Sequence, residues 1–467
     1  MILIPDNLRL RLQRYGQEHL LEVLECLDEA ERASFLGELN RINLAELAAL
    51  HARREHKDAL PERHRVKPLP VPALDTAQRE TFKGRGQQAF RRGEVAFLIV
   101  AGGQGTRLGF DHPKGMFPIG PVSKKPLFQV HTEKVLALRR RFDAAILFLI
   151  MTSPATDAAT RRFFAQHQNF GIPENDVWYF CQGTMPALDL VTGRLLLEAP
   201  GRLCLSPNGH GGTVTGLADS GFLDRLQERG IRTISYFQVD NPLTNLADYL
   251  FLGRHLAEEA DVSSKVLSKT GPLEKVGNFL LIDGRCSMIE YSDLPLAWAH
   301  ETDERGQLTF GAGNPAIHLF DVAFLRKITQ HADRLPWHLA KKKVAHLHQS
   351  GAVVTPTTEN ALKFERFIFD VLPHAERWTV LATPRHEEFA PVKNKDEDGV
   401  DCPATARQMM NNLAAQWLRE AGVEVPVDAQ GNSAVNVEIS PLYALDAAEL
   451  RAKVKGISRI EKDTYLE

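Results

Sequence analysis

Six apolar residues, Val95–Val100, follow one another without alternation and stop at a glycine-rich turn, the pattern of a strand covered on both faces. Comparable runs recur at 144–151, Val177–Cys181, 231–239 and Val262–Ser268. Between them, apolar positions repeat at three and four residues, which predicts helices over 126–142, 215–229 and 245–260. The first of these turns Phe128, Val135, Leu138 and Phe142 inward, and the second is closed by Gly230. Ser153-Pro154 reads as a further helix start, serine as cap and proline at the first helical position, running through Phe163 and Phe164 to a stop at Gly171. Strands alternating with helices predict a parallel sheet.

Outside this alternation the pattern changes. Residues 6–51 are helical throughout, with Leu10, Leu20, Leu24, Leu27, Phe35 and Leu39 among charged positions. Residues 52–75 are rich in Arg, His, Lys and Pro and read as a solvated linker. Beyond Gly271 come short strands at Asn278–Ile282 and 287–291, a helix near 360–372 with Phe364, Phe367 and Ile368 facing the core, and a helix over 403–421 closed by Gly422. The alternating segment at 435–439 suggests a small β unit in the tail. The division expected is a helical module and linker at 1–75, a catalytic domain at 76–385 and a C-terminal domain at 386–467.

Composition narrows the class. At 467 residues, with 43% hydrophobic and 25% charged positions, the chain reads as a soluble globular protein of more than one domain. A net charge of -3 argues against a general nucleic-acid binder. The first residues turn charged too soon for a signal peptide and no apolar run approaches membrane-spanning length, so a cytoplasmic protein is expected. Cys26, Cys181, Cys204, Cys286 and Cys402 are scattered and form no CxxC pair, which argues against disulfides, structural zinc and thiol redox chemistry.

The candidate chemistry starts at the turn after Val100. Gly102, Gly103, Gly105 and Gly109 let backbone amides approach a ligand, an arrangement suited to phosphate, and Arg107 and Lys114 add cations within reach. A dinucleotide fingerprint starting at Gly103 would need glycine where Leu108 stands, and no Gly-Lys-Ser/Thr ends a Walker loop. Ligands of open parallel sheets bind at the carboxyl ends of strands, which draws attention to Asp240 after the run at 231–239. A carboxylate there can hold Mg²⁺ against nucleotide phosphates. The turn LSPNGHGG, 205–212, again exposes backbone.

The stretch 95–120 resembles, nearly letter for letter, the signature of the UTP-dependent sugar-1-phosphate uridylyltransferases (UDPGP type 1 family), and is most similar to its UDP-N-acetylhexosamine branch. The likeness runs from GQEHLL at 16–21 to about residue 440 and includes QVDNPL, LSPNGHGG, CQGTMPA, EKVG, MIEYSDL, GAGNPAIHLF, NALKFERF and FAPVKN. It implies an α/β fold with a Rossmann-like nucleotidyltransferase (GT-A-like) mixed sheet, helices on both faces, an N-terminal helical module and a small C-terminal α/β region. It also implies that Ala101, Gly102, Gly103 and Gly105 line the nucleotide, that Gln182 reads uracil, that Gly209 packs on the nucleoside and that Lys363 contacts phosphate. Asp240 would position Mg²⁺ (or Mn²⁺), while His210, Gly277, Glu290, Tyr291, Asn314 and Lys393 would bind the sugar phosphate. At His210 the acetylhexosamine branch usually carries Asn, whereas histidine is found in the UDP-glucose and broad-specificity branches, so the sugar stays open.

The implied partners are UTP, a sugar 1-phosphate, the UDP-sugar and pyrophosphate, with no nucleic acid and no membrane, in a monomer or weak homo-oligomer. A phosphate monoester is already anionic near neutral pH, so its attack needs no general base. Arg107, Lys114 and Lys393 are then the expected catalytic groups, acting through charge and position. A dehydrogenase, disfavoured by the failed fingerprint, and a nucleotide-sugar binding protein without catalysis are the alternative classes.

Overall fold

The computed structural model describes residues 4–55, 60–330, 335–348 and 350–467. The chain divides into two compact units, each assembled from separate stretches of sequence: Glu62–Cys181, Thr213–Ala332 and Phe369–Glu467 in the larger, Met1–Pro61, Gln182–Gly212 and Asp333–Ile368 in the smaller.

The larger unit is built on an 11-stranded sheet. Its strands are β1 (Val66–Pro68), β2 (Val95–Val100), β3 (Leu147–Thr152), β4 (Val177–Cys181), β5 (Thr233–Gln238), β6 (Val262–Ser268), β7 (Asn278–Ile282), β8 (Arg285–Ile289), β9 (Ala312–Gly313), β10 (His318–Asp321) and β11 (Trp378–Ala382). The order is β1-β7-β9-β6-β10-β5-β2-β3-β4, with β8 paired to β7 and β11 to β6. The half β5-β2-β3-β4 is parallel, as the apolar runs predict. The remainder is largely antiparallel: β10 lies antiparallel between β5 and β6, and β7, β8 and β9 are joined antiparallel, while β11 pairs in parallel with β6. The sheet is therefore mixed, as the family resemblance implies, whereas strand–helix alternation alone predicts a parallel one; β10 inserts antiparallel between β5 and β6, and β7 and β8 pair as a hairpin. The segment read as linker also supplies an edge strand, β1.

Helices cover both faces. Phe97, Ile99, Phe148, Ile150 and Phe237 project into one core with Phe90, Phe128, Val135, Phe164 and Phe251. On β4 the alternation is explicit: Tyr179 meets Phe164, while Phe180 meets Phe222 and Gly216 on the opposite side. Helices Thr76–Arg91 and Tyr249–Ala257 cross where a Cβ on Gly86 would lie 2.0 Å from the Tyr249 carbonyl oxygen and one on Gly253 1.6 Å from that of Phe82, so neither position admits a side chain.

Three expected helices differ. The predicted 215–229 is two helices, Gly212–Asp219 and Phe222–Glu228, broken where Gly221 adopts φ +68°. The helix after Ser153 begins at Asp157, and the Ser153 hydroxyl instead donates to the Gly102 carbonyl at 2.7 Å. Residues 360–372 form a strand, Ala361–Glu365, followed by a 3-10 turn, Ile368–His374. Pairing with His338–Lys342 on one side and Leu188–Asp189 on the other holds this strand, interactions that the local three-and-four spacing of Phe364, Phe367 and Ile368 does not reveal.

In the larger unit's C-terminal part, helix Pro403–Glu420 packs Ala415 and Leu418 against Val423, Val437 and Leu450, and Val437–Ile439 pairs in parallel with Thr464–Leu466. Glu438 in that strand accepts from the Val122 and Ser123 amides at 2.8 and 2.7 Å.

In the smaller unit, helices Asp6–Arg14, His19–Cys26, Glu29–Arg41 and Leu44–Ala52 do not form a core of their own. Leu8, Leu12, Leu24, Phe35 and Leu47 share one with Leu188, Leu197, Leu362 and Phe364. Gln17 fixes the contact through its amide, accepting from Leu195 N–H at 2.8 Å and donating to the Gly193 carbonyl at 3.0 Å. The five cysteines are free thiols. Among the described residues no helix is long and apolar enough to cross a membrane.

Candidate active site

Because β2 and β5 are parallel neighbours in register, with Gln238 opposite Val100, their carboxyl ends deliver the glycine turn and Asp240 side by side. The turn folds on itself: Gly105 N–H donates to the His112 carbonyl at 2.9 Å and Lys114 N–H to the Gly103 carbonyl at 3.0 Å. Of Gly102, Gly103, Gly105 and Gly109, only Gly109 takes a positive φ, +69°. Gly105 is required for another reason, since a Cβ there would lie 2.7 Å from the Phe110 carbonyl oxygen. Gly103 has no heavy atom within 4 Å of a Cβ position and is exposed, as is Arg107 in the 3-10 turn Thr106–Leu108. Ala101 is buried behind them, its N–H bonded to the Met151 carbonyl at 2.8 Å.

Lys114 and Asp240 meet. The Lys114 Nζ lies 3.2 Å from Asp240 Oδ2, with both side chains largely buried. The segment carrying Lys393 is docked on the same strand end through Asp240 and Asn241. Val392 N–H donates to the Asp240 carbonyl at 2.8 Å; Asn241 donates from Nδ2 to the Glu388 carbonyl at 2.7 Å and accepts from Ala390 N–H at 3.0 Å. Lys393 and Asn394 both donate their N–H groups to the Asp401 carbonyl, at 2.7 and 3.0 Å. Burial raises the Asp401 carboxyl above its ordinary pKa, and the positive charge of Lys393 opposes that rise. Glu388, whose carbonyl Asn241 holds, is itself anchored by an ion pair to Lys265, which also lies 2.7 Å from Asp248 Oδ2.

Among the described residues no three His, Cys, Asp or Glu side chains cluster as a metal cage. Asp240 offers a carboxylate beside a lysine, which suits a cation bringing its own phosphate and water ligands, as Mg²⁺ does, rather than one needing three or four protein ligands.

The predicted sugar segments lie together in the same unit. Asn314 N–H donates to the Gly277 carbonyl at 2.9 Å, tying the ends of β9 and β7. Glu290 is half-buried just past β8, and Tyr291 beside it is 45% exposed. Glu274 is committed elsewhere, paired with Arg385 at 2.5 Å.

The smaller unit carries Gln182, Gly209, His210 and Lys363. Strand Thr184–Pro186 pairs with Leu205–Pro207, and Asn208 N–H donates to the Gly183 carbonyl at 3.0 Å, which brings the buried Gln182 next to the second glycine turn. That turn is pressed onto Arg366: a Cβ on Gly209, which has φ +83°, would lie 2.4 Å from the Arg366 carbonyl oxygen. The Arg366 guanidinium sits 4.0 Å over Trp337, whose indole donates to Glu46 at 2.7 Å, so helix Leu44–Ala52 braces the turn. His210 stacks on Phe367 and accepts the Ile368 N–H at Nδ1, 3.1 Å away, leaving the neutral ring protonated at Nε2. Burial, with His338 nearby, pushes His210 down to about 4. Lys363 is half-buried on strand Ala361–Glu365, and not on the helix expected for it.

A profile of UTP–glucose-1-phosphate uridylyltransferases matches residues 49–466. The chain belongs to that family. Among its relatives, the UDP-N-acetylhexosamine pyrophosphorylase-like protein 1 of Xenopus tropicalis is 33% identical, over 97% of this chain and 95% of its own length. The UDP-N-acetylglucosamine pyrophosphorylase of Saccharomyces cerevisiae is 33% identical, over 95% and 93%. The crystal structure of the UDP-N-acetylglucosamine pyrophosphorylase of Trypanosoma brucei superposes with a TM-score of 0.82 at 27% identity, covering 100% of this chain and 99% of that one. A putative UDP-N-acetylglucosamine pyrophosphorylase of Entamoeba histolytica gives 0.79 at 30% identity, covering 86% and 100%. The uridylyltransferase fold is the one expected from sequence. Asn241 and Asp401 were not anticipated; their partners are far along the chain, and only the position of Asn241 directly after Asp240 hinted at a role.

Proposed function

We propose that this chain transfers a uridylyl group from UTP to a sugar 1-phosphate, an N-acetylhexosamine 1-phosphate in the first instance, giving the UDP-sugar and pyrophosphate. The observation that carries this reading is the Lys114–Asp240 pair at 3.2 Å, set at the strand ends that also present the glycine turn and hold the segment bearing Lys393. The family membership and the relatives' names support it.

In the reaction, a phosphate oxygen of the sugar 1-phosphate attacks the α-phosphorus of UTP, one P–O bond forms, and the α–β bridging P–O bond breaks with its electron pair leaving on pyrophosphate. No proton has to move, so the residues act by charge and alignment. The glycine turn after Ala101, from Gly102 to Gly105, with Gly103 and Gln104 at its exposed tip, takes the triphosphate, with Arg107 and Lys114 neutralising charge that builds on the leaving group. Lys393 brings the attacking phosphate into line, and Lys363 is assigned a phosphate contact. Gln182 reads uracil, Gly209 supports the nucleoside, and His210, Gly277, Glu290, Tyr291 and Asn314 bind the sugar. Asp240 would hold Mg²⁺ (or Mn²⁺), which when bound supplies further charge neutralisation at the phosphates. A cytoplasmic location and a monomer or weak homo-oligomer complete the reading.

His210 favours a second reading of the substrate. The resemblance associates histidine at this position with the UDP-glucose and broad-specificity branches, so glucose 1-phosphate is the competing substrate. A panel of sugar 1-phosphates with UTP and Mg²⁺, scored for pyrophosphate, tests the proposal. Release with N-acetylglucosamine 1-phosphate is expected, and no release with any sugar 1-phosphate would refute it.

A further inference from the structure

The sugar segments converge on a residue not assigned above. Met288 lies on β8, opposite Phe279 and two residues before Glu290. Its Sδ is 2.9 Å from the Nδ2 of Asn314, and a Cβ placed on Gly277 would sit 2.7 Å from the same sulfur and 2.8 Å from Cε. The thioether thus lies directly against the Gly277 backbone, in the space that a side chain at 277 would share. The Asn314 carbonyl oxygen is taken by the Ala316 N–H at 2.8 Å, which orients the amide with its NH₂ towards the sulfur. Met288 is half-buried, so part of it remains open.

Resting on the uridylyltransferase reading, we propose that Met288 is a specificity-determining residue, whose thioether provides an apolar, polarisable seat for the methyl of a 2-N-acetyl group between Gly277 and Asn314. The surrounding sugar contacts are polar: a glutamate, an asparagine amide and backbone. A methyl group gains from burial on the sulfur and its Cε, whereas a hydroxyl there meets a poor hydrogen-bonding partner and loses water. Methionine also conforms to its neighbours without a fixed shape, and so can close around an acyl group.

The test compares kcat/KM for N-acetylglucosamine 1-phosphate and glucose 1-phosphate, each with UTP and Mg²⁺, in the wild-type chain, Met288→Leu and Met288→Ser. The wild type is expected to prefer the acetylated substrate. Met288→Leu should keep that preference, and Met288→Ser should lower the ratio about tenfold, the order expected for losing one apolar contact of this size. If Met288 merely supported the hairpin, Met288→Ser would slow both substrates alike and leave the ratio unchanged, which would overturn the proposal. A wild type that uses glucose 1-phosphate equally well or better would overturn it too, with uridylyl transfer left standing. No pyrophosphate from either sugar would remove the reading on which it rests.

Discussion

Replacing Asn241 is the sharpest single test of how the site is held. Its side chain is buried at 3% exposure and satisfies two backbone groups of the segment leading to Lys393: the Glu388 carbonyl at 2.7 Å and the Ala390 N–H at 3.0 Å. Asn241→Ala strands both. Each buried group left without a partner costs ~1–3 kcal/mol, so the total is roughly 2–6 kcal/mol if the segment stays in place. The less costly escape is for residues 388–393 to lift towards water, which moves Lys393 away from Asp240. A displacement of about 1 Å in a positioning group costs about 10²-fold in rate. The expected outcome is therefore a fall of about that size in kcat/KM for the sugar phosphate, with a smaller change in KM for UTP and a thermal transition that remains cooperative. Asn241→Asp keeps the shape and the bond from Ala390 but turns a donor into an acceptor facing the Glu388 carbonyl, and should be impaired to a similar degree. Steady-state pyrophosphate release and thermal melts on both variants decide the matter. Rates within about threefold of wild type in both would refute the claim that this amide positions Lys393.

Lys114→Ala removes the cation 3.2 Å from Asp240 without touching the apolar core; turnover should drop by about 10²–10³-fold with the melting curve little changed, and near-wild-type turnover would remove Lys114 from the chemistry. Acid sensitivity follows from buried histidines: burial holds His210 at about 4 and His255 at about 3, against an unfolded value near 6.5. Their folded values are depressed, so the unfolded chain binds more protons below about 6.5; the stability they contribute is complete above that pH and is lost as pH falls towards 4. Melting temperature should decline across that window, and His255→Asn should make the decline shallower; an unchanged slope would contradict the assignment.

The parts of this architecture that could be read from the chain are those governed by local patterning. The runs ending at Val100, Cys181 and Ser268 are strands to the residue because each is buried on both faces and bounded by turn residues. The glycine turn was visible because its residues are contiguous, and Asp240 because strand ends point to ligands. What stayed hidden depends on distant pairing. Ala361–Glu365 has the spacing of a helix and is a strand only because two other segments, one of them near residue 188, flank it. β10 between β5 and β6 breaks the parallel order through hydrogen bonds that no periodicity announces. Asn241 acts on residues 388 and 390, and Asp401 on 393 and 394, contacts set by the fold rather than by neighbours in sequence. The tight fit of Gly277 against Met288 likewise exists only once β7 and β8 are paired.

The central claim is that one phosphoanhydride bond is exchanged for another without hydrolysis. Phosphorus NMR of the purified chain with UTP, N-acetylglucosamine 1-phosphate and Mg²⁺ follows every phosphorus atom at once. The account predicts UDP-sugar and pyrophosphate appearing in equal amounts, only when the sugar phosphate is present, and consumed again when pyrophosphate is added in excess. UTP that breaks down to UMP or UDP without the sugar phosphate, or resonances that never change, would contradict it.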